Sequence, residues 1–319
     1  VAAVQRFKII LSIATLSTML FLALAMLPIT TYARAAKQEP TLSLDEARQF
    51  VLQLINKDRK ANGQMPVVLD AIATISGQQH SNDMAENGYL SHWDFLGTKP
   101  DQRYTRAGGE DAVAENGYIL SYTDSPQQQS LSQPQTFAKD ELEGAERTFM
   151  DEVPPDDGHR KNILDPYHTG VGIGISVSGD ERNRRLAITQ EFVDDYGSFS
   201  PLPERVRAGD NFIVGGKVKR GVNLYSVDVR WEQLPSPMTL KQLKETYSYG
   251  PPVDRVATLW PAHPRRPGIL ITPVGDGVEF SANVNTNNWR PGLYYVFVWA
   301  TKDGTDKPFV ISRRTVELR

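Results

Sequence analysis

No cysteine occurs among the 319 residues. Disulfides, a cysteine-linked lipid anchor, a thiolate nucleophile and any Cys-ligated metal are excluded, and burial of apolar surface must hold the fold together. Other signatures are missing as well. There is no HExxH pair and no GxSxG elbow, so the compact zinc-protease and serine-hydrolase motifs are absent. Gly170, Gly172 and Gly174 run into a strand pattern rather than a helix start, which points to close backbone packing and not to a phosphate loop. Basic residues form no block and no aromatic stripe interleaves with them, so nucleic-acid binding has no support.

What is present begins with one long apolar run, residues 9–29, preceded by Arg6 and Lys8 and followed by Ala33-Arg34-Ala35. That order is a secretory signal over residues 1–35, cut before Ala36. At 21 residues the run is also long enough to stay as a membrane anchor. Either reading puts the remaining 284 residues outside the cytoplasm, secreted or at the cell surface, and that length suits two domains. Arg6, Lys8 and Arg34 are the only charges in the leader, which leaves 32 basic against 38 acidic residues beyond it, a net charge of −6.

Ser43, Asp45 and Glu46 fit a capping box at the start of a helix whose inner positions are Leu44, Ala47, Val51, Leu54, Ile55 and Asp58, with Gly63 ending it. A second helix starts near Asp70 and ends at Asn87-Gly88; periodicity assigns Ile72, Ile75, Gln79 and Met84 to its inner face. Residues 171–177 and 186–193 read as a hairpin. Helices followed by strands indicate a layered α+β domain. Residues 125–135, SPQQQSLSQPQ, can bury almost nothing and read as an exposed loop. Beyond Ser198 the texture changes. Pro201 and Pro203 read as a linker, and the runs 212–218, 225–231, 278–284 and 293–300 are strands between turn signals such as Asn287-Asn288 and Arg290-Pro291-Gly292. That pattern predicts an all-β sandwich, immunoglobulin-like in architecture, over residues 205–319. Residues 238–247 add a turn or two of helix, and Trp289 and Trp299 read as core and rim residues.

Four of the five histidines, His80, His92, His159 and His168, fall within 90 residues of one another and near several glutamates. Imidazole ligates metals and titrates near neutrality. His80 lies on the inner edge of the second helix, where a hydrogen-bonded packing role outweighs ligation. Ser91 beside His92 does not make a nucleophile, because sequence adjacency is not triad geometry. His168 reads as a surface or strand-edge residue.

The stretch QHSNDMAENGYLSHWD at residues 79–94 resembles the CAP superfamily (cysteine-rich secretory proteins, antigen 5 and plant pathogenesis-related proteins), in its bacterial, cysteine-free, SCP-like branch. PDQRY at 100–104, RAGG at 106–109, AEN at 114–116, GHRKNILDP at 158–166 and GVGIG at 170–174 continue the likeness in order, over residues 44–196. The resemblance implies a CAP-type α-β-α sandwich with a cleft lined by two His and two Glu. His92, Glu115 and His159 match by local motif. Glu152 is the best match for the second glutamate by position, with Asp151 and Glu146 as fallbacks. The same resemblance implies that His92 and His159 could hold Zn²⁺ or another divalent cation, or that the cleft works without metal. It implies binding of an extracellular ligand, a lipid or cell-envelope component among them, rather than an enzyme activity. Two other readings stay open: a metal-dependent extracellular hydrolase using the tetrad, and an envelope adhesion protein acting through the β domain.

Overall fold

A computed structural model describes residues 41–123, 135–179, 183–263, 268–275 and 277–319. The leader and its cleavage site lie outside them, as does nearly all of the Gln/Ser-rich stretch. From Pro40 to Arg319 the chain forms a single compact unit.

The N-terminal part runs β1 (Thr41–Leu42), α1 (Leu44–Ala61), β2 (Val68–Leu69), α2 (Ala71–Asn87), α3 (Pro100–Arg106), β3 (Val113–Thr123), β4 (Phe137–Ala138), α4 (Lys139–Met150), α5 (Gly158–Ile163), β5 (Gly170–Gly179) and β6 (Asn183–Val193). Strands order as β2-β5-β6-β3, with β5, β6 and β3 antiparallel and β2 parallel to β5. This sheet lies between helices. α1 and α4 cover one face through Ala47, Val51, Ile55, Leu142, Ala145 and Phe149, and α2 covers the other. The Ser43–Glu46 capping box forms reciprocally as its spacing predicts.

The buried face of α2 differs from the periodicity reading. Met84 is buried as expected and Ile72 packs partly buried beside Ala73 and Tyr104, but Ile75 is 49% exposed and Gln79 is exposed, whereas Ala73, Ser76, Gly77, His80, Ser81 and Ala85 are buried. The cause is close packing. A Cβ on Gly172 would lie 2.1 Å from the Ala73 carbonyl carbon, and one on Gly174 would lie 2.3 Å from Gly77 carbonyl atoms. Helix and sheet meet backbone to backbone, so the contact takes small residues and leaves Ile75 outside it. The glycines of β5 therefore serve close packing.

The C-terminal part comprises β7 (Gly197–Phe199), β8 (Arg205–Val206), β9 (Asn211–Val218), β10 (Val222–Glu232), α6 (Leu240–Lys244), β11 (Asp254–Leu259), β12 (Leu270–Val274), β13 (Gly277–Asn285), β14 (Gly292–Lys302) and β15 (Pro308–Leu318). Two sheets, β12-β13-β9-β7 and β11-β10-β14-β15-β8, enclose one apolar core built around Val214, Val227, Val229, Ala282, Val296 and Val298. The first strand pairs in one sheet and the second runs parallel to the last strand in the other, which is an immunoglobulin-like order. Since β7 already belongs to the sandwich, Pro201 and Pro203 lie between its first two strands. Asn288 supplies the left-handed turn residue (φ 63°) before β14.

The five-stranded sheet docks on α3. Arg313 of β15 pairs with the buried Asp101 and also donates to Val113 O. Lys99 bonds Glu232 at 2.6 Å, and Glu232 in turn accepts the Tyr295 hydroxyl at 2.7 Å. Lys302 sits over the rings of Tyr167 and Tyr196 at 4.7 and 5.4 Å, a cation–π contact that joins the two parts on another side.

Candidate functional site

β3 is an edge strand of the four-stranded sheet, and it carries Glu115 and Asn116 on successive positions. Their side chains leave opposite faces, so one strand serves two surroundings. Glu115 is buried and accepts from His92 Nδ1 at 2.8 Å and from Arg103 Nη2 at 2.6 Å. Arg103, on α3, also donates to the carbonyls of His92 and Thr98 at 2.9 and 3.1 Å, which ties the loop bearing His92 to the helix. Burial works against the Glu115 carboxylate. The Arg103 guanidinium, with His80 and His92, outweighs it and holds the pKa down at about 2.

The second pair lies between α4 and α5. The Glu152 carboxylate bonds His159 Nδ1 and accepts the His159 amide at 2.9 Å, so it fixes the imidazole and the start of α5 together. Phe149 packs on the imidazole at 4.8 Å between ring centres. Asn116 links the pairs: its Nδ2 donates to His159 O at 3.2 Å, one residue along from Glu115.

In both pairs the carboxylate takes Nδ1. Among the described residues neither Nε2 has a protein hydrogen-bond partner, so each ring keeps that nitrogen for something else. Of the fallback glutamate positions, Asp151 caps the end of α4 and is exposed, and Glu146 is buried under Gln190, which donates to it at 2.6 Å. Burial pushes the Glu146 carboxyl up to about 8. Among the described residues no three His, Asp or Glu side chains gather as a metal cluster. A divalent ion would therefore have two imidazoles at most from these pairs, with water completing its shell, and this donor set does not fit a closed structural zinc site.

Three neighbours complete the surroundings of Glu115: Glu191 and Tyr249, which escaped the sequence reading, and His80, whose expected hydrogen-bonded packing role the structure shows. Glu191 of β6 stands directly opposite Glu115 in the strand register and is fully buried, accepting from Ser76 Oγ at 3.0 Å. Burial and the Glu115 charge push its pKa well above the usual carboxylate range, so it is a neutral acid beside an ionised one. His80 donates Nε2–H to Ser91 O at 2.8 Å and lies 3.9 Å from Glu115; burial and Arg103 push its pKa down to about 4, and it stays neutral. Tyr249, from the C-terminal part, packs its ring 4.6 Å from that of His92, and its hydroxyl accepts the Glu115 amide at 3.1 Å.

Two other histidine and serine assignments resolve. Ser91 donates its hydroxyl to Thr246 O at 3.0 Å and accepts the Trp93 amide at 3.1 Å, which is a structural role. His168 is not a surface residue. It is 7% exposed, stacks on Phe192, and bonds Asp194 at 2.7 Å and Asn162 Oδ1 at 3.0 Å. Asn162 passes a hydrogen bond on to Asn116 and Asn116 to Gln190, so His168 anchors the polar chain that ends at Glu146. Its position in a turn concealed a partner, Asp194, that lies 26 residues away in sequence.

The model of the cysteine-rich secretory protein family, CAP, matches residues 52–192, and this stretch of the chain is a CAP domain. Over 139 residues the chain is 27% identical to the protein YkwD of Bacillus subtilis (strain 168), a match covering 43% of this chain and 45% of that one. The chain thus spans less than half the length of that curated relative. Among solved structures, similarity extends to an extracellular protein containing an SCP domain from Bacillus anthracis str. Ames, at 22% identity, TM-score 0.35, and 48% and 44% of the two chains. It extends also to an outer surface protein of Borrelia burgdorferi, at 12% identity, TM-score 0.34, and 49% and 98% coverage.

Proposed function

We propose that the protein binds an extracellular ligand in the His92/Glu115–His159/Glu152 cleft and that binding, not turnover, is its activity. The observation that carries this reading is the shared geometry of the pairs: each carboxylate fixes Nδ1 and leaves Nε2 as an outward acceptor or donor. Such oriented imidazoles recognise polar groups without any bond being broken. The structural use of Ser91 speaks against a serine-nucleophile reading. The leader pattern at residues 1–35 supports a secreted or surface location, and a lipid or cell-envelope component is the ligand class the family likeness favours. Zn²⁺ or another divalent cation on His92 and His159 is an optional part of this proposal.

The test is calorimetric titration of Zn²⁺ into the protein from residue 36 onward and into its His92→Ala/His159→Ala variant. Binding that is lost in the variant supports the assignment, and identical isotherms contradict it. Chelator-sensitive turnover of ester, peptide or glycoside substrates that vanishes with His159→Ala would instead favour the hydrolase reading.

A further inference from the structure

Between β10 and β11 the chain leaves the sandwich, crosses the CAP domain and returns. Four contacts fix its path. Ser236 O lies 2.3 Å from where a Cβ on Gly97 would sit, so the two backbones touch. The Met238 amide donates to Phe95 O at 2.9 Å. Leu243 of α6 is fully buried in a cluster with Met84, Ala85 and Tyr89. Thr246 O accepts the Ser91 hydroxyl at 3.0 Å. This strap delivers Tyr249 onto the His92 ring, with Trp93 edge-on at 6.4 Å.

The two His–Glu pairs are covered unequally. The side chains of His92 and Glu115 are 12% and 0% exposed, against 33% and 20% for His159 and Glu152. Tyr249 contributes to that difference twice. Its ring covers the His92 face, and its hydroxyl satisfies an outward amide of edge strand β3, the kind of group that an incoming extended chain would otherwise pair with.

We propose that Tyr249 is a specificity-determining residue of the cleft: the strap from the sandwich walls off the His92–Glu115 pair, so a ligand enters at His159–Glu152 and meets an aromatic wall before reaching His92. The C-terminal part thereby shapes what the CAP domain accepts. Compact hydrated ions reach His159 first. A ligand spanning both pairs must place an apolar or aromatic face against Tyr249 and polar groups against the imidazoles. Extended peptides are denied the β3 amide at Glu115.

The ligand consequence rests on the binding reading above, whereas the wall itself does not, and the experiment needs no ligand. Diethyl pyrocarbonate acylates accessible imidazole nitrogen, and mass spectrometry gives a rate for each histidine. In the wild-type protein His159 is expected to label faster than His92. Tyr249→Ala should raise the His92 rate roughly tenfold with the His159 rate unchanged, and Tyr249→Phe, which keeps the ring, should leave both unchanged. Equal His92 and His159 rates in the wild type, or an unchanged His92 rate in Tyr249→Ala, would overturn the proposal. Labelling of the buried His80 in Tyr249→Ala would signal general opening. Tyr249→Leu is then read instead: faster His92 labelling supports the wall and an unchanged rate overturns it. A failed zinc titration together with this labelling pattern would remove the zinc-ligand assignment and leave the wall standing.

Discussion

Glu115 compensates the positive charge of Arg103, and the pair has its value because Glu115 is fully buried and Arg103 nearly so. Glu115→Gln leaves Arg103 without its counter-charge, so unfolding in urea should show a loss of about 3–5 kcal/mol, and Glu115→Gln/Arg103→Met should recover part of it. The depressed pKa gives the sign of the pH effect. The contribution is complete above the ordinary carboxylate range near 4.5 and is lost as pH falls through about 2. Glu146 behaves oppositely. Its pKa is raised to about 8 by burial, so its neutral form favours the fold below 4.5 and that advantage is lost as pH rises through about 8. Glu146→Gln should therefore have little effect on Tm at pH 5 and raise Tm at pH 9, read by calorimetry; equal effects at both values would contradict the assignment. His92, Glu115 and His159 were legible because each sits in its own short motif, and Glu152 was legible by position. Glu191 was not, because its meaning comes from strand register: nothing in the sequence aligns residue 191 with residue 115. Tyr249 was hidden by belonging to the other part of the chain.

At the scale of elements, the capping box, the β5–β6 hairpin and the strands of the sandwich follow from local patterns that the structure reproduces. The inner face of α2 does not. Hydrophobic periodicity marks large side chains, whereas this interface is made by small ones, with Ala73 and Gly77 lying against Gly172 and Gly174. Gly172→Ala or Gly174→Ala must push helix and sheet apart, with a loss of about 1–3 kcal/mol in denaturant unfolding; a neutral result would show that the contact is looser than described. The same displacement would move His80 and Ser76, which support Glu115 and Glu191 from α2.

Across the whole molecule, the CAP domain and the sandwich share buried charge as well as surface. Asp101 and Arg313 meet in the interface, and Arg313 also bonds Val113 O at the start of the strand that carries Glu115. One cooperative unfolding transition is expected in calorimetry. Arg313→Ala, which leaves Asp101 buried without its partner, should lower Tm and separate the two transitions. Two transitions already in the wild type would show that the parts fold independently. The central claim remains the pair of imidazoles held through Nδ1 with Nε2 turned to the ligand. Long-range ¹H–¹⁵N correlation of the histidine rings during addition of Zn²⁺ tests it most directly. Before metal, the Nδ1 atoms of His92 and His159 should carry a proton held by Glu115 and Glu152, and on adding Zn²⁺ their Nε2 signals should move while those of His80 and His168 stay still. Protons found on Nε2 in those two rings, or shifts confined to other histidines, would contradict the account.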